Sequence, residues 1–170
     1  GGAARGYQQA GFYVVGVDNK PQPRYVGDEF VQADAMTFPL EGYAAIHASP
    51  PCQAYSALAC LPWLRDKNYP RLIEPTRLRL QATKVPWVIE SVERAPLIAP
   101  VRICGLMFGL PLYRHRLFEL PWRSETLFLA PAHPTHRIVI GSGRLLNDRA
   151  KGTLNASSNK GAWGNQTIVT

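Results

Sequence analysis

Cys52 stands in the run Ala48 to Ser56, A-S-P-P-C-Q-A-Y-S, where two prolines lead directly into a thiol. Each proline fixes its own φ and lacks a backbone donor, so Pro50 and Pro51 hold the approach to the sulfur in one extended shape. A thiolate is a strong nucleophile once nearby positive charge favours its ionisation. Two later segments carry groups that could serve it: a carboxyl, Glu90, in P-W-V-I-E-S-V (Pro86–Val92), and two guanidiniums, Arg114 and Arg116, in Y-R-H-R-L-F-E (Tyr113–Glu119). By itself Cys52 reads as a small buried hydrophobe, the ordinary fate of a free cysteine. The company it keeps shifts the weight toward chemistry.

The elements around these residues are expected to bring them together. Tyr43–His47 is a short apolar run that predicts a buried strand, which puts Cys52 on the loop at its carboxyl end, where ligands bind in open α/β sheets. Val85–Glu90 predicts the next buried strand, so that Glu90 lies beside Cys52 across parallel strands; the competing reading makes Glu90 the strand's exit into water. Arg114 and Arg116 fall on one face of a third strand at period two, with His115 and Leu117 opposite. Two guanidiniums are costly to bury unpaired, so they imply an anionic or carbonyl-rich partner.

Upstream, Ala4–Gly11 predicts a helix stopped by Gly11, and Phe12–Lys20 a β-branched strand ending in Asp18. An acid at the tip of such a strand suits the ribose hydroxyls of a nucleotide, while an Asp18-Asn19 pair also starts turns. Phe30–Met36 predicts a short strand ending in Asp34, which competes as the N-cap of the following residues. Arg71–Thr83 predicts a helix with Leu72, Ile73, Leu78 and Leu80 toward the core and Arg71, Arg77 and Arg79 in solvent. The long apolar stretch Ala57–Pro70 between the thiol loop and this helix is of the length that marks functional loops.

A chain of 170 residues, 46% hydrophobic, is a single globular domain with a sizeable core. No apolar run approaches the roughly 20 residues a membrane helix needs. Three cysteines, Cys52, Cys60 and Cys104, form no Cys-x-x-Cys pair, which argues against a disulfide framework or thiolate zinc site and suits a reducing cytosol. His133 and His136 lack a third ligand at metal spacing and read as a solvated loop. Nineteen Lys and Arg against twelve Asp and Glu, net +7, favour a polyanionic partner. A cysteine hydrolase using His47 or His115 and a nicotinamide-binding Rossmann domain are the rival classes; the first has no use for Asp18 and Asp34, and the second leaves the S-P-P-C-Q loop unexplained.

In this order and spacing, S-P-P-C-Q, the Glu90 strand and R-H-R resemble the cytosine-5 DNA methyltransferases, with their Pro-Cys-Gln, Glu-Asn-Val and Arg-x-Arg motifs. The resemblance spans roughly residues 1–120 and departs at Ser91, where the family has Asn, and at Leu112, where it has Gln. It implies a Rossmann-like S-adenosylmethionine-dependent α/β fold, a mostly parallel sheet with helices on both faces, truncated at one or both ends. The start of the first cofactor motif is expected upstream of Gly1, and the last motif is expected to be missing. Residues 1–120 are then the catalytic and cofactor-binding domain, and 121–170 a short basic region resembling a target-recognition segment, or a tail.

On this resemblance Cys52, Glu90, Arg114 and Arg116 are catalytic. Gly1, Gly2, Asp18, Asn19, Asp34, Ala35 and Pro50 hold S-adenosyl-L-methionine, and Ser49, Pro51, Gln53 and Ser56 meet the substrate. The implied partner is double-stranded DNA with a flipped cytosine, and the 57–70 loop closes over that base. A cytoplasmic monomer without metal is expected. A non-catalytic nucleic-acid-binding relative and an RNA cytosine methyltransferase remain alternatives within the same resemblance.

Overall fold

The structure, a computed structural model, describes residues 2–56, 68–110, 112–121 and 166–169. It is mixed α/β. Helix α1 (Gly2–Gln9) leads into β1 (Val14–Asp18), followed by β2 (Glu29–Gln32), β3 (Ala45–Ala48), α2 (Ile73–Gln81), β4 (Trp87–Ser91), β5 (Val101–Cys104), β6 (His115–Glu119) and β7 (Gln166–Val169). The seven strands among the described residues form one sheet in the order β2-β1-β7-β3-β4-β6-β5.

β1 and β2 pair in parallel, as do β3 and β4, while β7 runs antiparallel to both β1 and β3, and β6 antiparallel to both β4 and β5. The sheet is therefore mixed by pairing, not mostly parallel as expected. One reason is local: only residues 105–114 join β5 to β6, too few for the crossover a parallel pair needs. Gly109, at φ 69, helps to turn the chain there. Strands β1 to β5 still run in one direction. Their carboxyl ends share one edge, and β6 enters at that same edge.

The two α-helices among the described residues cover opposite faces. β1 is buried along all five residues, as a strand covered on both sides must be. On one face α1 presents Ala4 and Tyr7 to Val14, Phe12, Tyr25 and Ala45. On the other, Leu80 of α2 packs with Val17, Ile46, Ala48, Trp87 and Ile89. The helix-stopping Gly11 has φ 92, the left-handed conformation expected of it.

α2 is rotated relative to the sequence expectation. Its buried residues are Ile73, Thr76, Arg77 and Leu80, the i, i+3, i+4, i+7 stripe of one helix face, whereas Leu78 is 59% exposed. Arg77 is thus a core residue and not part of a solvated face. It is accommodated because Glu119 of β6 meets it bidentately, Nε to Oε1 at 2.5 Å and Nη2 to Oε2 at 2.8 Å, with Nη2 also donating to the Pro96 carbonyl. Arg79 likewise turns inward, donating to the carbonyls of Ala35 and Phe38.

Candidate active site

Sheet register dictates which side chains meet. In the parallel β3–β4 pair Ala48 is opposite Ile89, so the next positions, Ser49 and Glu90, come together at the edge. In the antiparallel β4–β6 pair Glu90 is opposite Phe118. Arg116 and Arg114, two and four residues before Phe118, then share its face and Glu90's. One sheet face at one edge collects a carboxyl, two guanidiniums and a hydroxyl.

The contacts follow this placement. Arg116 Nε lies 2.8 Å from Glu90 Oε1, both side chains being about a quarter exposed (24% and 25%). Ser49 Oγ donates to Glu90 Oε2 at 3.0 Å. His47, two residues back on the same face, places Nε2 3.0 Å from Ser49 Oγ and Nδ1 2.9 Å from Tyr7 Oη on α1. His47 is buried, which lowers its pKa, while the negative charge of Glu90 works in the opposite direction. Burial raises the Tyr7 phenol, so it keeps its proton. Arg114 is lowered by burial and then by the charge of Arg116, yet a guanidinium remains cationic.

Cys52 is half-buried and precedes a 3₁₀ turn, Gln53–Tyr55, in which its carbonyl accepts from Tyr55 N–H at 3.0 Å. Its thiol lies within the field of Arg116, Glu90 and Arg114. The net effect is opposite to that expected from the arginines: burial pushes the thiol up, and Glu90 adds to the rise, against the lowering by Arg116 and Arg114. Desolvation of the thiolate is the largest effect, and Glu90 offsets part of the arginine field. The resting group is a thiol.

Beside these residues opens a cavity of about 660 Å³, lined by Gly2, Ala3, Gly6, Tyr7 and Ala10 of α1 and its end, and by His47, Glu90, Arg114 and Phe118 from the sheet. That is within the range of small-molecule sites. It joins one predicted cofactor residue, Gly2, to two predicted catalytic ones, Glu90 and Arg114. Ser49 and Arg116 adjoin it through Glu90.

The other predicted binding residues are placed elsewhere along the edge. Asp18 is 1% exposed, and its two oxygens accept from Lys20 N–H and Gln22 Nε2 at 2.9 and 3.0 Å, so the turn-forming alternative describes its contacts. Asn19 is exposed and its carbonyl accepts from Gln32. Asp34 caps its own turn, Oδ1 accepting from Met36 N–H and its carbonyl from Thr37 and Phe38 N–H. Ala35 is tied to Arg79 through its carbonyl. Pro50 is buried; Pro51, Gln53 and Ser56 are half-buried on the Cys52 loop. Gly1, residues 57–67 of the long loop, Cys60, His133 and His136 lie outside the described residues.

The sequence marks no role for Tyr7 and offers His47 only as the partner of a hydrolytic cysteine. Both His47 nitrogens are instead engaged by Tyr7 and Ser49, and His115 Nδ1 sits 3.0 Å from Glu93. The signal available for His47 was its period-two spacing from Ser49 on a strand; nothing marked Tyr7. Among the described residues, no group of three His, Cys, Asp or Glu is placed to hold a metal, and no helix is long and apolar enough to cross a membrane. Comparison with protein-family models, curated proteins and solved structures finds no match to this chain.

Proposed function

We propose that the chain is a cytosine-5 DNA methyltransferase domain of Rossmann-like type, acting through a covalent adduct between Cys52 and the base. The observation that carries this reading is the Glu90–Arg116 pair, whose charges bear on the Cys52 thiol and whose acid lines a cavity that reaches the amino end of α1. Carbon 5 of cytosine is too weak a nucleophile to attack a sulfonium methyl unaided. Addition of the Cys52 sulfur, as thiolate, to carbon 6 while ring nitrogen 3 takes the proton of Glu90 turns the ring into an enamine; after carbon 5 has been methylated, loss of its proton to solvent expels the thiolate.

Glu90, once protonated, bonds ring nitrogen 3 and the exocyclic amine, stabilising the charge that develops in the ring. Arg116 holds the base carbonyl, and Arg114 adds positive potential. The basic balance of the chain supports a DNA partner from which the target cytosine is flipped, at a cost of a few kcal/mol.

S-adenosylmethionine, when bound, supplies the methyl group. The fit is good at the α1 end, where Gly2, Ala3 and Gly6 leave room beside Glu90, and poor at Asp18, whose carboxylate is covered by its own turn. Gly2 and its small neighbours would therefore hold the cofactor first, with Asn19, Asp34, Ala35 and Pro50 further along the edge. A bacterial or phage-infected cytoplasm, in a restriction-modification setting, is the compartment that this chemistry suits.

The test is incubation with duplex DNA containing 5-fluorocytosine plus S-adenosylmethionine, followed by denaturing electrophoresis. An adduct that disappears in Cys52→Ser supports the assignment. Absence of any adduct from a protein that binds the cofactor overturns it.

A further inference from the structure

The two oxygens of Glu90 have unlike partners. Oε1 faces the Arg116 guanidinium at 2.8 Å, and Oε2 accepts the Ser49 hydroxyl at 3.0 Å. A hydroxyl has one hydrogen; having given it to the carboxylate, Ser49 can only accept from His47 Nε2. That puts the imidazole hydrogen on Nε2 and leaves Nδ1 to accept from Tyr7 O–H. The direction of every bond in the series Tyr7, His47, Ser49, Glu90 is thereby fixed, and Tyr7, His47 and Glu90 all line the same cavity.

We propose that Tyr7, His47 and Ser49 form a proton relay that sets the protonation of Glu90 Oε2, making His47 and Ser49 positioning residues for the acid. The proposal rests on the methyltransferase reading for its purpose, though not for its geometry. When solvent in the cavity gives a proton to Tyr7 Oη, Tyr7 passes its own hydrogen to Nδ1, Nε2 passes its hydrogen to Ser49, and Ser49 passes its hydrogen to Oε2. Four bonds to hydrogen form, four break, and no electron pair leaves the relay. The imidazole ends in its other tautomer and never needs to become a cation, which its burial opposes.

Arg116 keeps the proton off Oε1. The charged and titratable groups bearing on the relay are Tyr7 from α1, Glu90 from β4, Arg114 and Arg116 from β6, and the Cys52 thiol from the loop after β3. The order also excludes a nucleophilic serine triad. There the imidazole stands between hydroxyl and acid; here the hydroxyl stands between imidazole and acid.

Ser49→Ala cuts the relay, Ser49→Thr keeps a hydroxyl, and His47→Gln keeps one donor and one acceptor but cannot exchange tautomers. Methyl transfer to duplex DNA is measured against pH for each. The relay predicts that Ser49→Ala and His47→Gln lower kcat about 100-fold at unchanged KM for DNA. It also predicts a shifted pH profile in both variants, and return of the parent profile in Ser49→Thr. Profiles in Ser49→Ala and His47→Gln superimposable on the parent, at whatever rate, overturn the proposal.

Nitrogen-15 spectra of His47 in the unliganded protein provide a readout that needs no activity. An Nε2–H tautomer that responds to acid titration in the parent but not in Ser49→Ala supports the relay. An Nδ1–H tautomer in the parent overturns it. A parent that shows the relay tautomer yet forms no adduct with 5-fluorocytosine DNA refutes the methyltransferase reading alone.

Discussion

Replacing Arg77 by Met should unfold this protein more readily than any loss of a surface charge. The guanidinium side chain is 4% exposed and so is the Glu119 carboxylate it meets. After Arg77→Met, Glu119 keeps one described donor, the Ile98 N–H at 2.8 Å, and loses both guanidinium bonds. Glu74 adds little to the sum, since it is 64% exposed. Stranding one buried charge costs about 3–5 kcal/mol. At roughly 2–4 °C per kcal/mol for a chain of this size, Tm falls by roughly 6–20 °C. Urea unfolding followed by circular dichroism measures the first quantity and thermal unfolding the second. The double variant Arg77→Met with Glu119→Leu removes the stranded charge and should recover most of the loss, because a well-packed apolar pair can match a buried ion pair. A single variant costing under about 1 kcal/mol, or a double no better than the single, refutes the claim that this pair pins α2 to β6.

Three further outcomes follow from the same geometry. Alkylation of Cys52 by iodoacetamide, read by mass spectrometry of its peptide, should be slow at neutral pH and rise about tenfold per pH unit toward the thiol pKa; Glu90→Gln should speed it at pH 7 and Arg116→Ala should slow it, and a parent rate already flat near pH 7 contradicts the burial argument. His47, whose pKa burial holds below the ordinary 6.5, binds its proton more readily when unfolded, so its contribution is present above about pH 6.5 and is lost as pH falls below it; His47→Gln should flatten the slope of stability against pH below about 6.5. Gly11→Ala meets no neighbouring atom but must adopt φ 92, so it should cost about 1–2 kcal/mol by urea unfolding, with no effect on the cavity.

The strands that carry the site could be read from the chain because their signals are short-range. Tyr43–His47 is apolar and followed by prolines, Val85–Glu90 is apolar and ends in an acid, and the period-two spacing of Arg114 and Arg116 fixes their common face whichever way the strand runs. What the local sequence does not show depends on distance along the chain. Arg77 looks solvated because its partner, Glu119, is 42 residues away, and Tyr7 meets His47 across 40. The insertion of residues 166–169 between β1 and β3 is set by tertiary pairing, which local pattern does not encode. At Asp18 and Asp34 both a ligand role and a turn role were compatible with the sequence, and the contacts present are those of turns.

The pair β4–β6 shows how one register separates structure from chemistry. Ile89 lies opposite Glu119 and Glu90 opposite Phe118, so successive residues send one acid to each face of the sheet. Each acid finds an arginine there: Arg77 for Glu119, and Arg116 for Glu90. The first pair is 4% exposed on both sides and carries a backbone donor as well, a saturated arrangement with no room for a ligand. The second is about a quarter exposed, and its acid lines a cavity of about 660 Å³. The same residue types thus serve opposite ends. A buried and fully bonded pair fixes the position of β6, and that position sets Arg114 on the cavity wall and Arg116 against Glu90, a quarter-exposed pair that is still open to solvent.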